Sequence, residues 1–215
     1  MDYNGRIISE DFAYLCGAVL CGLNVFYSVA TSAGHKKFQY RISHIRKNGT
    51  YIANVAESLR NVSGYKVRAR PWHASTEING KKYKASGKQV AVRINPSLID
   101  LFAKLRVFKD NSRVLEDALL RSSPGMMKKS LQAYLDVKMR IASASKKSDI
   151  DIYLNVRKRH KKIIGNLLGL FDVQYKDGGE IFWIYSKQSV KKIFDIFDTK
   201  SNENVRQRLR EIRKS

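Results

Sequence analysis

Cationic side chains alternate with small apolar ones in residues 65–70, and such a row could act chemically on a polyanion. If the segment is a β-strand, its period of two places Lys66, Arg68 and Arg70 on one face and the apolar residues between them on the other. Cations at this spacing, with almost no acids between them, repel one another unless an anion lies against them. The segment therefore predicts a strand whose basic face contacts phosphate groups.

Further cations accompany this strand in both halves of the chain. They lie in the segment between this strand and the next one, around the hairpin that precedes the strand, at the end of one predicted helix and at the start of another. The complete set that we predict to bind nucleic acid is Lys36, Lys37, Arg41, Arg46, Lys47, Lys66, Arg68, Arg70, Lys81, Lys82, Lys84, Lys88, Arg93, Lys138, Arg157 and Arg159.

Aromatic residues offer a second way to hold nucleic acid. Tyr153, Trp72 and Trp183 are candidate stacking platforms if the ligand is single-stranded or looped RNA. Trp183 lies in an apolar strand, which favours a place in the core instead. Asp149 and Asp151 lie on the face of their strand that would meet the ligand, so we expect weaker contact in the second half.

The cysteines and histidines form neither a metal-binding nor a disulfide pattern. Cys16 and Cys21 are the only cysteines, and their apolar surroundings favour two buried thiols over a metal site, which would require four ligands. The four histidines are scattered over different predicted elements. We therefore expect no metal and no cofactor, and an intracellular location in the cytoplasm, the nucleoid or an organelle matrix.

The overall charge supports a nucleic-acid partner. Lysine and arginine number 41 against 19 aspartates and glutamates, which gives a formal net charge of +22 over 215 residues. Each cation that neutralises a phosphate releases a condensed counterion, which favours binding whatever the base sequence. The alternative is a charge that only maintains solubility, but the excess is far above the net charge that solubility requires.

One uncharged stretch raises the alternative of a membrane anchor. Residues 12–30 carry no charge, and this length is close to that of a membrane-spanning helix. The stretch contains Gly17, Gly22 and Asn24, and it changes partway from small residues and leucine to aromatic and β-branched residues. This change indicates a buried helix that runs into a buried strand. We therefore expect no membrane partner.

The hydrophobic periods and the turn signals of the first half predict the element order αββαββα. Helices are expected at residues 10–22, 51–62 and 96–105, and strands at 25–30, 38–45, 65–70 and 89–94. Asn79 and Gly80 mark a turn in the segment that connects the last two strands. With 43% apolar residues, the chain can bury one sizeable core or two small ones.

The second half repeats this order with shorter loops. Helices are expected at residues 124–138, 158–170 and 187–197, and strands at 139–144, 150–156, 173–175 and 181–185. The predicted fold is therefore α+β, with two pseudo-symmetric αββαββα units that each contain an antiparallel sheet. We place the units at residues 1–107 and 124–198, a connecting helix or linker at 108–123, and a basic helical tail at 199–215.

Two short segments resemble the helix motif of the LAGLIDADG homing endonucleases and maturases. The first is Tyr-Leu-Cys-Gly-Ala-Val-Leu-Cys-Gly at residues 14–22, and the second is Leu-Gln-Ala-Tyr-Leu-Asp-Val-Lys at residues 131–138. Each copy opens one αββαββα unit, followed by strand, strand and helix at the family's spacing. The resemblance covers about residues 10–197.

This resemblance implies a monomer with an internal pseudo-twofold axis. The two motif helices would pack against each other between the halves, and the two sheets would form a saddle over the nucleic acid. Small side chains suit such close packing, and the residues that we expect at the helix interface are Cys16, Gly17, Ala18, Cys21 and Ala133.

The catalytic positions depart from the family pattern. In active members, the eighth motif position of each copy, counted here from Leu15 and from Leu131, is an acid, and the two acids coordinate divalent metal ions. Here those positions hold Gly22 and Lys138. Glycine offers no ligand, and an ammonium group repels Mg²⁺ while it attracts phosphate. Asp136, at the sixth position, would point toward the partner helix, where a structural role is favoured.

Three hypotheses of different classes follow from the sequence. The first is a noncatalytic protein that binds DNA or, like the family's maturases, structured RNA, alone or within a larger ribonucleoprotein such as a ribosome. The second is an active endonuclease that cuts double-stranded DNA with a divalent metal, through residues that the sequence does not identify. The third is a basic protein attached to a membrane.

Overall fold

A computed structural model of the chain describes residues 7–32, 35–46, 49–79, 81–94, 113–143 and 150–197, together with positions 98, 100, 102, 103 and 105. The predicted unit boundary at residue 107 and the predicted tail at 199–215 lie outside the described residues. So do the bounds of the helix predicted at 96–105, although Leu98, Phe102 and Leu105 are described and are buried in the core.

The described elements of the first half begin with a helix and then form one sheet. In chain order they are α1 (Glu10–Leu20), β1 (Asn24–Ser32), β2 (His35–Arg46), α2 (Gly49–Ser63), β3 (Arg70–Ile78) and β4 (Lys81–Ile94). The four strands are antiparallel in the order β1-β2-β4-β3. Helix α3 (Arg113–Leu120) follows as the connecting helix.

The second half repeats this arrangement. Its elements are α4 (Pro124–Lys138), β5 (Met139–Ser143), β6 (Ile150–Asn155), a 3₁₀ turn (Lys158–His160), α5 (Lys161–Leu170), β7 (Lys176–Asp177), β8 (Ile181–Ile184) and α6 (Lys187–Ile196). The strand order β5-β6-β8-β7 is the same as in the first sheet, and every pair is antiparallel. The fold is therefore α+β with two pseudo-symmetric units, as the sequence predicts.

Local signals in the sequence explain where the motif helices begin and end. Ser9 and Ser123 cap α1 and α4, and their hydroxyl groups accept hydrogen bonds from the backbone N–H groups of Phe12 and Met126. At the other end of α1, Gly22 has a φ of 95°, a left-handed conformation that glycine adopts without steric cost. Helix α1 therefore ends at a position that favours glycine over any other residue.

The prediction of a strand at residues 65–70 is wrong, because the strand begins only at Arg70. The preceding residues bond to the end of α2 instead: Arg60 Nη2 donates to the Val67 carbonyl oxygen at 3.4 Å, and the Tyr65 N–H donates to Ser63 Oγ at 3.2 Å. The alternation survives in part, since Val67 is buried while Lys66 and Arg68 are exposed. Those two cations nevertheless lie outside the sheet.

The hairpin that follows is longer than the prediction. Strand β4 begins at Lys81 rather than residue 89, and its residues 81–89 pair with the whole of β3, up to the turn at Asn79, whose φ is 51°. The extension at residues 81–88 contains no large aliphatic residue, so no hydrophobic period identifies it as a strand. Pro71 is tolerated because β3 lies at the edge of the sheet.

The short strand predicted at residues 173–175 is also misplaced, since β7 comprises only Lys176–Asp177. Val173 is buried in the core, and the N–H of Gln174 donates to Ser189 Oγ at 3.0 Å. A hydrogen bond to a helix side chain thus replaces the ladder bond that a strand would make at this point.

The uncharged stretch at residues 12–30 is divided between a helix and a strand. Helix α1 has eleven residues, most of them buried, and β1 pairs with β2 along its length. Within the described part of the chain, no helix has both the length and the apolar character that crossing a bilayer requires.

The two motif helices, α1 and α4, pack closely at the centre of the core. A Cβ atom built on Gly17 would collide with the Ser130 carbonyl group and would lie 3.0 Å from the Cβ atom of Ala133. Cys16, Ala18 and Ala133 are fully buried. Small residues on both helices thus permit the two backbones to approach each other closely.

Candidate nucleic-acid interface

The C-terminal ends of α1 and α4 form a region that we call the helix foot, defined by Cys21, Gly22 and Lys138. Hydrogen bonds from the N–H of Gly22 to the Val19 carbonyl, 2.9 Å, and from the N–H of Leu23 to the Ala18 carbonyl, 3.0 Å, close the end of α1. Lys138 is the last residue of α4. Gly22 and Lys138, which the sequence analysis places at the eighth motif positions, therefore lie where their helices end.

Cations from both halves gather at the helix foot. Arg46, at the end of β2, donates through Nη2 to the Cys21 carbonyl oxygen at 2.5 Å. Burial raises the pKa of the Cys21 thiol to about 12; the positive charges of Lys138, Arg46 and Arg157 oppose that rise, and the negative charge of Asp136 adds to it. Three cations are thus close enough to Cys21 to act on its charge. Lys138 is partly exposed and Arg157 is exposed, so both can reach a ligand.

Asp136 lies in α4, two residues before Lys138 of the helix foot, and it forms a hydrogen bond with α1. It is 7% exposed, and its Oδ2 accepts a hydrogen bond from the Tyr14 hydroxyl group at 2.9 Å. A carboxylate in this position links α1 to α4 rather than facing a ligand.

Metal binding at the helix foot can be tested against the donors that are present. Gly22 has no side chain to coordinate a metal, and the Cys21 carbonyl oxygen already accepts from Arg46. The charges of Arg46, Lys138 and Arg157 disfavour a divalent cation and favour an anion. The described residues at the foot therefore do not suit a divalent metal ion. No group of three or more potential metal ligands occurs among the described residues.

The strand register divides the cations of the first sheet between its two faces. Val90 is fully buried, so its face of β4 packs on the helices, and the other face is open. Arg70 pairs with Gln89 and Trp72 pairs with Gly87, which places Arg70 and Trp72 on the open face. The face of Val90 also carries Lys82, Lys84 and Lys88, all exposed where the hairpin extends.

Several predicted binding residues cannot be placed beyond the backbone. Arg41 and Arg93 are direct partners across the β2–β4 register, and Lys36 and Lys37 lie near the start of β2. The side chains of these four residues lie outside the described part of the structure, as does the whole of Lys47. Lys81 begins β4 and shares the face of Gln89, and Arg159 is an exposed residue of the 3₁₀ turn.

The open face of the second sheet combines two candidate stacking residues of the sequence analysis, Tyr153 and Trp183, with two cations that it did not single out, Arg140 and Lys176. Register partners place Arg140 of β5, Tyr153 of β6, Trp183 of β8 and Lys176 of β7 in one row across all four strands. The neighbouring positions Ile152, Leu154, Phe182 and Ile184 are buried, so the row lies on the opposite, open face. The preference for Trp183 as a core residue was therefore wrong. The alternation of residues 181–185 is the signal that could have corrected it.

One acid shares this open face, as the sequence predicts. Asp151 is two residues from Tyr153 on β6 and is 9% exposed, while Asp149 lies outside the described residues.

Comparison with known proteins gives a fold but no relative by sequence. The chain matches no protein-family model, and a sequence search of curated proteins finds no match. The homing endonuclease I-WcaI bound to its DNA recognition sequence is 15% identical, with a TM-score of 0.54 over 90% of this chain and 82% of that one. A variant of I-DmoI in complex with its target DNA is 13% identical, with a TM-score of 0.51 over 87% and 95%. The chain thus has the fold of the LAGLIDADG homing endonucleases.

Proposed function

We propose that this chain is a noncatalytic nucleic-acid-binding protein built on a degenerate LAGLIDADG fold. The observation that carries the proposal is the set of three cations, Arg46, Lys138 and Arg157, at the helix foot, where active members hold metal-binding acids. Cations at this place attract a phosphate group and repel Mg²⁺. The foot would hold a nucleic-acid backbone without cutting it.

The geometry at the end of α1 strengthens this argument. An aspartate at residue 22 would have to adopt a φ of 95°, and its Cβ atom would lie 3.3 Å from Arg46 Nη2. The backbone at this position therefore suits a helix-ending glycine and disfavours the acid that cleavage requires. Asp136, two residues before Lys138 in α4, accepts a hydrogen bond from the Tyr14 hydroxyl group.

The charge and the fold support a nucleic acid as the ligand. A net charge of +22 favours phosphate contacts through counterion release. Two of the solved structures that share this fold are complexes with DNA, which supports a nucleic acid as the ligand. The proposed ligand is DNA or structured RNA, bound by a monomer that is maturase-like or part of a larger ribonucleoprotein.

The salt dependence of binding tests the contribution of the helix foot. Binding of a duplex would be measured by fluorescence anisotropy over a salt series for the wild type, Lys138→Gln and Arg157→Gln. Each variant should lower the slope of log K against log salt by about one unit, because each removes one phosphate contact. Lys191→Gln, an exposed cation on α6, is the matched control and should leave the slope unchanged. Unchanged slopes for both foot variants would contradict the proposal.

A cleavage assay tests the absence of catalysis. The protein would be incubated with a library of DNA duplexes and Mg²⁺ or Mn²⁺, beside an active homing endonuclease on its own target. We expect no nicking by this chain. Metal-dependent nicking that Asp136→Asn abolishes would establish the alternative, an active endonuclease.

A further inference from the structure

The row across the second sheet combines stacking surfaces with cations at both ends. Tyr153 and Trp183 have nearly parallel rings, with an interplanar angle of 5° and centroids 6.1 Å apart. Tyr185 extends the group, since its ring centroid is 5.1 Å from that of Trp183. Arg140 and Lys176 are the register partners at the two ends of the row. We call these five residues the aromatic row.

The aromatic row is open to solvent on the side away from the core. Tyr185 is 54% exposed, and Tyr153 and Trp183 are each partly exposed. The Trp183 indole N–H is buried and has no hydrogen-bond acceptor among the described residues. Cross-strand aromatic pairs stabilise a sheet by themselves, but this role requires neither the exposed Tyr185 nor the flanking cations.

The cations of the row are available to a ligand. Arg140 and Lys176 are exposed, and neither has an ion-pair partner within the described parts of the chain. Arg140 is the register partner of Tyr153 on the adjacent strand, and Lys176 is the register partner of Trp183. Phosphates on either side of a stacked base would therefore meet a positive charge.

This arrangement suits unpaired bases and not a perfect duplex. In a duplex, the flat faces of the bases are covered by their neighbours, and only their edges are accessible in the grooves. An aromatic ring on a sheet can stack only on a base that has left the helix. Folded RNA presents such bases in loops and bulges next to paired segments, and proteins read them by stacking on aromatic side chains.

We infer that the second sheet binds unpaired nucleotides of a folded RNA, with bases stacked on Trp183 and Tyr185 and with phosphates neutralised by Arg140 and Lys176. The inference rests on the proposed function and specifies its ligand. Trp72 and Tyr83 lie on the open face of the first sheet, but neither makes a ring contact with another aromatic side chain among the described residues. The first sheet and the helix foot would therefore hold the paired segment beside the loop through their cations.

The test uses an RNA hairpin with a single-stranded loop that contains one 2-aminopurine. Its binding is compared with that of the same stem as a continuous RNA duplex and with that of a DNA hairpin of equivalent sequence. We expect the wild type to bind the RNA hairpin at least about tenfold more tightly than the duplex, and to quench the 2-aminopurine fluorescence through stacking.

Variants locate the effect on the aromatic row. Tyr185→Ala should lower affinity for the RNA hairpin about tenfold and reduce the quenching, with duplex affinity unchanged. Tyr65→Ala removes an aromatic residue of similar exposure, 44%, outside both sheets, and it should change neither. Trp183→Leu should lower the affinity for the RNA hairpin more than Tyr185→Ala does. If Trp183→Leu does not fold, Lys176→Gln at the surface is tested in its place.

The outcomes separate this inference from the proposed function. Equal affinity of the wild type for hairpin and duplex, unaffected by Tyr185→Ala and Lys176→Gln, would overturn the inference and leave the proposed function intact. Equally tight binding of the DNA hairpin would overturn the assignment to RNA. If the wild type binds none of the three nucleic acids, the proposed function itself is overturned.

Discussion

The Tyr14 hydroxyl group donates a 2.9 Å hydrogen bond to Oδ2 of Asp136, and this buried contact joins the two halves of the molecule. Burial, and then the negative charge of Asp136, raises the pKa of Tyr14 well above its ordinary value, so the phenol remains a hydrogen-bond donor at neutral pH. The acid that survives in the second motif is thus held by the first motif helix. Asp136 thus contributes to the packing of the two motif helices.

Removal of this donor should destabilise the fold. We expect Tyr14→Phe to lower the free energy of unfolding by about 1–3 kcal/mol, because a buried carboxylate loses a hydrogen bond that water cannot replace. Urea denaturation at neutral pH measures the change. Tyr65→Phe, at an exposed tyrosine, is the control and should have little effect. A loss no larger than that of the control would show that the contact between the helices contributes little.

Two helical glycines should respond to alanine in opposite directions. Gly17→Ala places a methyl group against the Ser130 carbonyl, so the motif helices must separate, and we expect a loss of about 1–3 kcal/mol. Gly169, near the end of α5, has no atom within 4 Å of an added Cβ, and Gly169→Ala should stabilise by about 0.5–1 kcal/mol. Thermal or urea unfolding of the two variants measures both values. A neutral Gly17→Ala would contradict the close packing of α1 and α4.

The sequence contains enough local information to predict most of the fold. Ser9, Ser123 and the glycine at residue 22 are strong signals for helix ends, and the hydrophobic periods identify the buried faces of α1 and α2. The order αββαββα follows from these signals in both halves. The two motif copies then predict which helices pack together.

The sequence failed where the hydrogen-bond partners of a segment, and not its own residue pattern, decide the structure. Residues 65–69 alternate like a strand, but Arg60 and Ser63 of α2 provide the hydrogen bonds of Val67 and Tyr65. Likewise, nothing local indicates that Trp183 lies beside Tyr153, since they are far apart in sequence and meet only through the β6–β8 register. The aromatic row therefore becomes visible only when the strand order is known.

Both cysteines should be unreactive in the folded protein. Burial raises the pKa of both thiols, that of Cys21 to about 12, and the thiolate is the form that reacts. We expect no labelling by a disulfide reagent at pH 8 under native conditions and labelling of both thiols in denaturant. Rapid labelling of one thiol in the folded state would contradict the burial of the motif helix.

The two faces of the first sheet should contribute differently to binding. Arg70 lies on the open face and Lys84 on the opposite one, and both are exposed and carry one positive charge. Arg70→Gln should lower the salt-dependence slope of duplex binding by about one unit, and Lys84→Gln should leave it nearly unchanged. A salt series on each variant measures the slopes. Equal effects would indicate that the hairpin contacts nucleic acid with both faces.

Stability should fall in mild acid because of His44. Its Nε2 lies 3.0 Å from the Tyr51 hydroxyl oxygen, and burial, followed by the charge of Arg46, lowers its pKa from 6.5 to about 4. As the pH falls below 6.5, the unfolded chain takes up a proton at this residue that the folded chain does not. The unfolded state is therefore favoured progressively down to about pH 4, by up to about 3 kcal/mol.

A comparison of variants isolates this contribution from that of the carboxylates. His44→Gln removes the titration, so the difference in unfolding free energy between wild type and variant should be largest at neutral pH and should shrink toward pH 4. Urea denaturation at several pH values measures it, and His73→Gln, at an exposed histidine of β3, should give a curve parallel to the wild type. If the curve of His44→Gln is also parallel, then His44 protonates equally in both states, and the acid sensitivity of the fold has another source.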